Sequence, residues 1–197
     1  VIGDSCTDIF VYGVCDRMCP EAPVPVFNPI DYICNGGMAK NVQANVLAHG
    51  VECDIITNRD TIEKTRYVDK KTNQMILRVD TDDQTVERFN YKEVPYGKYD
   101  AVVISDYNKG FLQDDDCANV CSCHNNVFMD TKRHVSAYLP TNLKFLKISD
   151  QDLTAQNDKQ IIVTRGIRGC MYMGKMYPAP ERIVTQDVSG AGDTFTA

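Results

Sequence analysis

The residues with the most obvious chemical use lie near the end of the chain, in Gly190-Ala-Gly-Asp193. Two glycines around a small residue let the backbone approach a ligand closely, and successive N–H groups that open a helix attract an anion. A carboxylate directly after them can take the proton of a hydroxyl held beside that anion. The pattern fits phosphoryl transfer to an alcohol. Short glycine motifs are weak evidence, however, so the motif alone favours an ordinary glycine-rich turn before a helix.

A second glycine pair, Gly36-Gly37, comes just before a stretch with helical periodicity. Within residues 39–49, apolar side chains such as Val42 and Val46 recur at helical spacing. Gly50 is suited to end this helix, because glycine readily adopts the left-handed conformation found there. The sequence thus predicts a glycine-rich loop that is held in place by the helix behind it.

The elements that must position these motifs alternate between strands and helices. Strands are predicted at 51–57, 101–104, 127–129, 144–148 and 160–164, a helix at 114–123 and a hairpin at 170–177. Such alternation predicts an α/β sheet. Ligands bind at the carboxyl ends of the strands in these sheets. Four polar residues fall at such ends: Asp4, Asp106, Asp130 and Thr164.

Three extended segments do not fit the alternating pattern. Prolines around 24–27 predict an edge-like segment, and 64–68 with 74–79 predict two strands joined by a turn. Residues 58–63, which separate these strands from the preceding one, are too few for a parallel crossover. Either the strands pair antiparallel in a separate lobe, or residues are missing near 58–63.

The composition excludes several classes of function. A net charge of −6 argues against a basic face for nucleic acid. No run approaches the roughly 20 apolar residues of a membrane helix, and no secretory leader is recognisable, so we expect a cytoplasmic location. The absence of an initiator Met predicts that the chain is not the complete gene product.

Nine cysteines, an odd number, predict reduced thiols rather than a disulfide framework. Four residues that can bind zinc lie close together: Cys117, Cys121, Cys123 and His124. They lack the separated ligand pairs of structural zinc sites, so we favour a helix with small buried thiols.

The two glycine motifs together carry a resemblance to a known family. Asp187-Val-Ser-Gly-Ala-Gly-Asp-Thr194 resembles the C-terminal signature of the ribokinase-like (PfkB) carbohydrate kinases, and Asn35-Gly-Gly-Met-Ala-Lys-Asn41 resembles their other signature. The resemblance implies a three-layer α/β sandwich with a mainly parallel central sheet and a small β lid. It implies one domain over residues 1–197, incomplete at the C-terminus, with a lid from about 9–30 and 64–90.

Four segments, 17–26, 64–66, 74–80 and 105–110, resemble more narrowly the D-glycero-D-manno-heptose 7-phosphate kinases, with shortened connections between them. This resemblance implies phosphorylation of that sugar phosphate, or of a related sugar, during synthesis of the lipopolysaccharide heptose precursor. It implies ATP and Mg²⁺ as cofactors. From the net charge and the lack of a long apolar run we expect no nucleic acid or membrane partner. The exposed lid strands would also suit pairing of two copies.

The family implies a role for each matching residue. Asp193 is the general base, and the N–H groups of Gly190, Ala191 and Gly192 meet the γ-phosphate. The residues implied to bind the sugar are Asp8, Gly36, Gly37, Asn41 and Asp106, and those for its phosphate are Lys64, Arg66 and Arg78. The residues implied for the nucleotide are Lys132, Ser149, Thr164, Gly166 and Asp187, and Asp152 is implied for the metal. A solvated strand face is the alternative for the basic residues. A polar turn is the alternative for Asp106, and a turn or cap role is the alternative for Asp8 and Asn41.

The chain departs from the family where an Asn-x-x-Glu element is usual, because Ser149-Asp-Gln-Asp152 stands there. It also stops at Ala197, where the family's last helix continues. Two explanations stay open: part of a longer active kinase, or a protein that binds sugar or nucleotide without efficient turnover. A dinucleotide-dependent oxidoreductase is a weaker alternative, because the full glycine pattern is lacking. No fused nucleotidyltransferase is recognisable.

Overall fold

Two sheets divide the strands of the chain in the computed structural model, which describes residues 1–59, 61–133, 139–150, 160–180 and 189–197. The first elements are β1 (Ile2–Gly3), β2 (Ser5–Met18), β3 (Pro25–Met38), α1 (Ala39–Ala48), β4 (Glu63–Asp69), β5 (Gln74–Thr81) and β6 (Val102–Asp106). They are followed by α2 (Asp116–Cys123), β7 (Val127–Thr131), β8 (Leu143–Ser149), β9 (Ile161–Thr164), β10 (Cys170–Tyr172), β11 (Lys175–Tyr177) and α3 (Ala191–Thr196).

Within the described residues, the larger sheet has seven strands in the order β1-β6-β7-β8-β9-β10-β11. Pairing is parallel from β1 across to β9, and antiparallel from β9 through β10 to β11. The central strands are apolar runs because a parallel sheet is covered on both faces. Their buried side chains form the main core: Val102, Ile104, Val127, Leu143, Leu146, Ile148, Ile161 and Val163. The predicted α/β fold with a mainly parallel central sheet is confirmed.

The first two helices lie close to their predicted positions. Gly50, with a φ of 78°, follows the end of α1 as expected of a terminating glycine. α2 begins at Asp116 rather than at residue 114, because 114–115 form a turn in which Gln113 N–H donates to Asp116 Oδ2. Among the described residues, none of the helices has the length and hydrophobicity needed to cross a membrane.

The smaller sheet has four strands in the order β3-β2-β4-β5. β2 and β3 form a long antiparallel hairpin, β4 lies parallel to β2, and β5 returns antiparallel to β4. Pro25 and Pro29 lie on β3, an edge strand, where a missing N–H is tolerated. The pairing shifts next to Pro29, so that Tyr12 faces Asp31 and Gly13 faces Pro29. The sheet is formed by the segments Ser5–Met18, Pro25–Met38, Glu63–Asp69 and Gln74–Thr81. Its closure over a ligand as a lid remains a prediction.

The prediction of a buried strand over 51–57 is wrong. Val51 is 55% exposed, and the segment meets the larger sheet through a bridge between Ile56 and Ile2. Because β1 has two residues, the edge it offers is too short for a full strand. Ile56 N–H donates to the carbonyl of Val1, and Gly3 N–H donates to that of Ile56.

The short connection over 58–63 leads from the larger sheet into the smaller one. The antiparallel pairing offered as one explanation is found between β4 and β5, whereas β4 and β2 are parallel. A crossover within one sheet is therefore not needed here. Asn58 anchors the connection, since its Oδ1 accepts from Ser5 N–H at 2.8 Å and its Nδ2 donates to the Ser5 carbonyl at 3.1 Å.

Candidate active site

The two glycine motifs meet at Asp193. Asn41 on α1 donates from Nδ2 to Asp193 Oδ2 at 2.8 Å, although the two residues are 152 positions apart. Asn45, one turn further along α1, accepts a bond from the Thr194 hydroxyl at 3.3 Å. Asp193 is 3% exposed, so the contact between α1 and α3 places a carboxylate in a nearly dry position.

A further contact to Asp193 comes from Tyr107, a residue that sequence reasoning did not assign a role. Its hydroxyl donates to Asp193 Oδ1 at 2.5 Å. Tyr107 follows β6 directly, and its backbone N–H donates to Asp4 Oδ2 at 2.9 Å. A signal was present, because Tyr107 lies at the carboxyl end of a strand and within the segment 105–110 that carried the resemblance.

The surroundings of Asp193 change its acidity. Burial raises the pKa of Asp193 above that of an ordinary aspartate, and the nearby charge of Asp130 raises it further. The hydrogen bonds from Tyr107 and Asn41, together with the charge of Lys147, lower the pKa because they favour the ionised form. The net upward direction brings the carboxyl closer to the acidity that suits a general base.

A side chain on either of the two glycines before Asp193 would crowd a polar group of the site. Gly190 has a φ of 78°, and a Cβ on it would lie 2.7 Å from Asn41 Nδ2. A Cβ on Gly192 would lie 2.8 Å from Lys147 Nζ. Side chains at either position would therefore displace polar groups of the site. Ala191 is the first residue of α3. The space that the glycines leave beside Lys147 fits the predicted anion cradle.

Lys147 forms a buried ion pair beneath α3, and sequence reasoning missed it. Its Nζ lies 2.7 Å from Asp130 Oδ2, with side chains 7% and 3% exposed. The Thr196 hydroxyl donates to the same oxygen at 3.2 Å. Asp130 Oδ1 is buried and has no hydrogen-bond partner among the described residues. The available signal was a lysine between Leu146 and Ile148, inside an apolar strand.

Asp8 lies beside the first glycine motif. A Cβ on Gly37 would come within 2.2 Å of Asp8 Oδ2, so this glycine is required by the position of the carboxylate. Asp8 Oδ1 pairs with Arg66 Nη1 at 2.6 Å. A Cβ on Gly36 would meet the side chain of Lys40. The structure thus brings Asp8 together with the predicted sugar-binding glycines.

The basic residues predicted for the sugar phosphate are paired with acidic side chains. Lys64 is buried and contacts Asp80 at 3.1 Å and Asp83 at 2.7 Å. Arg78 pairs with Asp80 at 2.7 Å, and Lys109 pairs with Asp83 at 2.5 Å. The side chains of Asp80 and Asp83 are 29% and 40% exposed, so they lie at the solvent edge of the network. Lys64 and Arg66 are buried and so depart from the alternative of a solvated strand face, whereas Arg78, whose side chain is 42% exposed, fits it.

Asp106 is buried at the end of β6 and accepts several bonds from neighbouring groups. Its Oδ2 accepts from the Thr131 hydroxyl and from Arg133 Nε, both at 2.8 Å, and its Oδ1 accepts from Asn108 N–H at 2.9 Å. These contacts favour the polar strand-end turn over a sugar contact for Asp106.

The residues predicted for the nucleotide lie on neighbouring strand ends. Ser149 on β8 faces Thr164 on β9 in the parallel register, and the Thr164 hydroxyl donates to the Ile148 carbonyl at 3.2 Å. Gly166 follows with a φ of 54°. Lys132 Nζ lies 5.9 Å from the ring centre of Tyr107. Asp187, also predicted for the nucleotide, and Asp152, predicted for the metal, lie outside the described residues.

Within the described part of the chain, no group of three or more His, Cys, Asp or Glu side chains is arranged to hold a metal ion. The four residues of the zinc alternative differ in their surroundings. Cys121 is buried and Cys123 is exposed. His124 Nε2 lies 3.0 Å from the Tyr99 carbonyl.

Comparison with solved structures defines the fold. The ribokinase of Thermotoga maritima matches with a TM-score of 0.61 and 14% identity, covering 98% of this chain and 82% of that one. A microbiome-derived acarbose kinase, Mak1, matches with a TM-score of 0.62 and 11% identity over 98% of this chain and 81% of that one. The ribokinase of Arabidopsis thaliana, solved with ribose and ATP, gives 0.57 and 12% over 99% and 82%. The chain therefore has the ribokinase-like fold.

No family model matches the chain, but several curated proteins are similar to it in sequence. The bifunctional protein HldE of Nitratiruptor sp. is 29% identical over 254 residues, covering 100% of this chain and 54% of that protein. HldE of Sulfurimonas denitrificans is 28% identical over 259 residues, again covering 100% and 54%. The chain thus spans about half the length of these curated relatives. Both alignments are longer than the 197 residues of this chain, so they include positions at which this chain has no residue. The resemblance predicted from the motifs is confirmed.

Proposed function

We propose that this chain is an ATP-dependent carbohydrate kinase that phosphorylates a hydroxyl of a sugar or sugar phosphate. The observation that carries the proposal is the buried carboxylate of Asp193, which accepts hydrogen bonds from Asn41 and Tyr107. Asp193 follows a Gly-Ala-Gly segment in which a side chain on either glycine would crowd a polar group. Structural neighbours with the names ribokinase and acarbose kinase support this class.

The proposed reaction is an in-line transfer. Asp193 takes the proton of the sugar hydroxyl as the sugar oxygen attacks the γ-phosphorus of ATP. The bond from that phosphorus to the β–γ bridging oxygen breaks, and ADP leaves with the electron pair. The N–H groups of residues 190–192 and the ammonium of Lys147 are proposed to stabilise the charge on the transferred group, because fixed donors in a dry site do this without reorganising.

ATP is proposed to bind across the strand ends that carry Lys132, Thr164 and Gly166. Mg²⁺ bound with ATP would neutralise part of the phosphate charge. Asp152 is the proposed ligand of that ion, and Ser149 and Asp187 are proposed to contact the nucleotide. No step of the reaction above depends on where the ion lies.

We further propose a heptose 7-phosphate as the acceptor, and with it a cytoplasmic role in the synthesis of a lipopolysaccharide precursor. The HldE relatives support this choice. A phosphate group carries nearly two negative charges at neutral pH, and would compete with Asp80 and Asp83 for Lys64 and Arg78. Arg66, which pairs with Asp8, is proposed to join them.

Acceptor preference tests this choice of substrate. ADP release would be measured with heptose 7-phosphate, with the same heptose lacking phosphate, and without sugar. We expect at least a tenfold preference in kcat/KM for the phosphorylated sugar, since one charge-assisted contact is sufficient for that factor. Arg78→Gln should reduce the preference, whereas Arg59→Gln, at a side chain that is 92% exposed, should not. Equal use of both sugars would contradict a phosphate subsite.

A binding protein without efficient turnover is the second candidate. Ser149 favours it, because a serine stands where the family usually has an asparagine amide. Binding of sugar or ATP by calorimetry, without ADP release above that of Asp193→Asn, would support this candidate. Acceptor-dependent ADP release would reject it.

Pairing of two copies through the smaller sheet is also proposed. Apolar side chains are exposed on its outer strands: Ile30, Tyr32, Ile33, Met75, Leu77 and Val79. A monomer by light scattering at working concentration would count against such pairing.

A further inference from the structure

Tyr107 is fixed at both its backbone and its ring. Its N–H donates to Asp4 Oδ2, while Asp4 Oδ1 accepts from Phe111 N–H at 3.1 Å. Asp4 is fully buried, so one carboxylate ties the loop after β6 to the end of β1. The Tyr107 ring packs on a small cluster of Cys6, Met38 and Ile62. Little freedom is left for the hydroxyl at the end of this ring.

That hydroxyl and the Asn41 amide bind opposite oxygens of one carboxylate. Tyr107 donates to Asp193 Oδ1 at 2.5 Å, and Asn41 donates to Oδ2 at 2.8 Å. Each carboxylate oxygen has about two acceptor sites, so both oxygens can still accept another bond. Two bonds from separate elements fix the plane of the carboxylate while leaving acceptor sites for a sugar hydroxyl.

We propose that Tyr107 is a positioning residue for the phosphoryl transfer, which holds the carboxylate of Asp193 in the orientation that accepts the sugar proton. This inference rests on the proposed function. It assigns the loop after β6 a part in the reaction that neither glycine motif supplies, because Asn41 alone would leave Asp193 free to turn about one contact.

The charged and titratable groups that face Asp193 come from several elements: Tyr107 after β6, Asp130 on β7, Lys147 on β8 and the buried thiol of Cys6 on β2. Burial and the charge of Asp193 raise the pKa of Tyr107 far above its usual value, so its hydroxyl remains a donor at neutral and moderately alkaline pH. Its bond lowers the pKa of Asp193. Losing the bond should therefore raise that pKa.

The test replaces Tyr107 with phenylalanine, which keeps the ring and removes the hydroxyl. We expect the acid limb of the kcat/KM profile for the sugar to move up by about one pH unit, since a bond to a charged group is about that strong. At neutral pH kcat should fall about tenfold, while KM for ATP should stay within about twofold. Tyr96→Phe is the matched control, because the Tyr96 hydroxyl is buried without a hydrogen-bond partner among the described residues. An acid limb that does not move in Tyr107→Phe would overturn the proposal.

A second readout separates this inference from the proposed function. The pKa of Asp193 can be followed by carbon NMR of labelled aspartate carboxyls in the chain without ligands, with its signal assigned through Asp193→Asn. A pKa that rises in Tyr107→Phe, but not in Tyr96→Phe, supports the contact whether or not the chain turns over. An unchanged pKa overturns the inference. If the pKa of Asp193 rises in Tyr107→Phe but the wild-type chain does not turn over ATP, the proposed reaction is rejected, and with it the catalytic part of the inference.

Discussion

Lys147 is the residue whose position is hardest to anticipate at the scale of single side chains. The strand over 144–148 was predicted correctly. A lysine inside a strand is expected to face solvent, because lysine side chains are seldom buried. The register of β7 and β8 sets Asp130 opposite Lys147, which places an acid and a base together in the interior. Register depends on the packing of the whole sheet, so a single sequence does not give it.

Removal of the ammonium should destabilise the chain strongly. Lys147→Met leaves the Asp130 carboxylate buried without its cation, and breaking a buried pair costs about 3–5 kcal/mol. The free energy of unfolding would be measured by urea denaturation. Lys144→Met is the control, because Lys144 lies on the same strand with an exposed side chain, where changes usually stay within about 0.5 kcal/mol. Equal stability of the two variants would mean that the ion pair contributes little.

The β2–β3 hairpin positions the sugar-side residues at the scale of elements. Its register sets Cys6 opposite Gly37 and Asp8 opposite Asn35, which places the glycine motif against the Asp8 carboxylate. The sequence predicted both glycines through the family resemblance, but not the long strands on which they lie. Those strands could not be inferred because the prolines around 24–27 predict an edge-like segment rather than the end of a hairpin.

Gly37→Ala should weaken sugar binding more than it slows the chemical step. The new Cβ would lie 2.2 Å from Asp8 Oδ2 and 2.6 Å from Cys6 Sγ, so Asp8 must move. We expect KM for the sugar to rise about tenfold with a smaller change in kcat, since the base is untouched. Steady-state kinetics with varied sugar would measure this. Gly97→Ala is the matched control, because a Cβ on Gly97 meets nothing within 4 Å. Unchanged KM in Gly37→Ala would remove Asp8 from the sugar site.

The wrong prediction of a strand over 51–57 has its cause at the scale of elements. Strands β6 to β9 were recognisable because each is a short apolar run between polar turns. The segment 51–57 was also predicted as a strand, but its neighbour β1 is too short to pair with it. Whether an apolar run becomes a strand therefore depended on a partner edge that no local pattern reveals.

At the scale of the whole molecule, the candidate active site lies where strand ends of the larger sheet meet the smaller sheet. Asp193 is faced by groups that follow β6, lie on β7 and β8, and belong to β2. Its contact with Asn41 joins motifs from the two ends of the sequence. The sequence predicted that these motifs share one site, because the family resemblance links them. It did not predict Tyr107 and Lys147, whose roles depend on the folded arrangement.

The most direct test of the central claim compares Asp193→Asn with the wild-type chain in acceptor-dependent ADP release. Loss of a general base should lower kcat by at least about a hundredfold, with the melting temperature retained. Asp115→Asn, the same change at an exposed residue, should leave kcat unchanged. Turnover by Asp193→Asn equal to that of the wild-type chain would contradict the assignment of Asp193 as the base of a carbohydrate kinase.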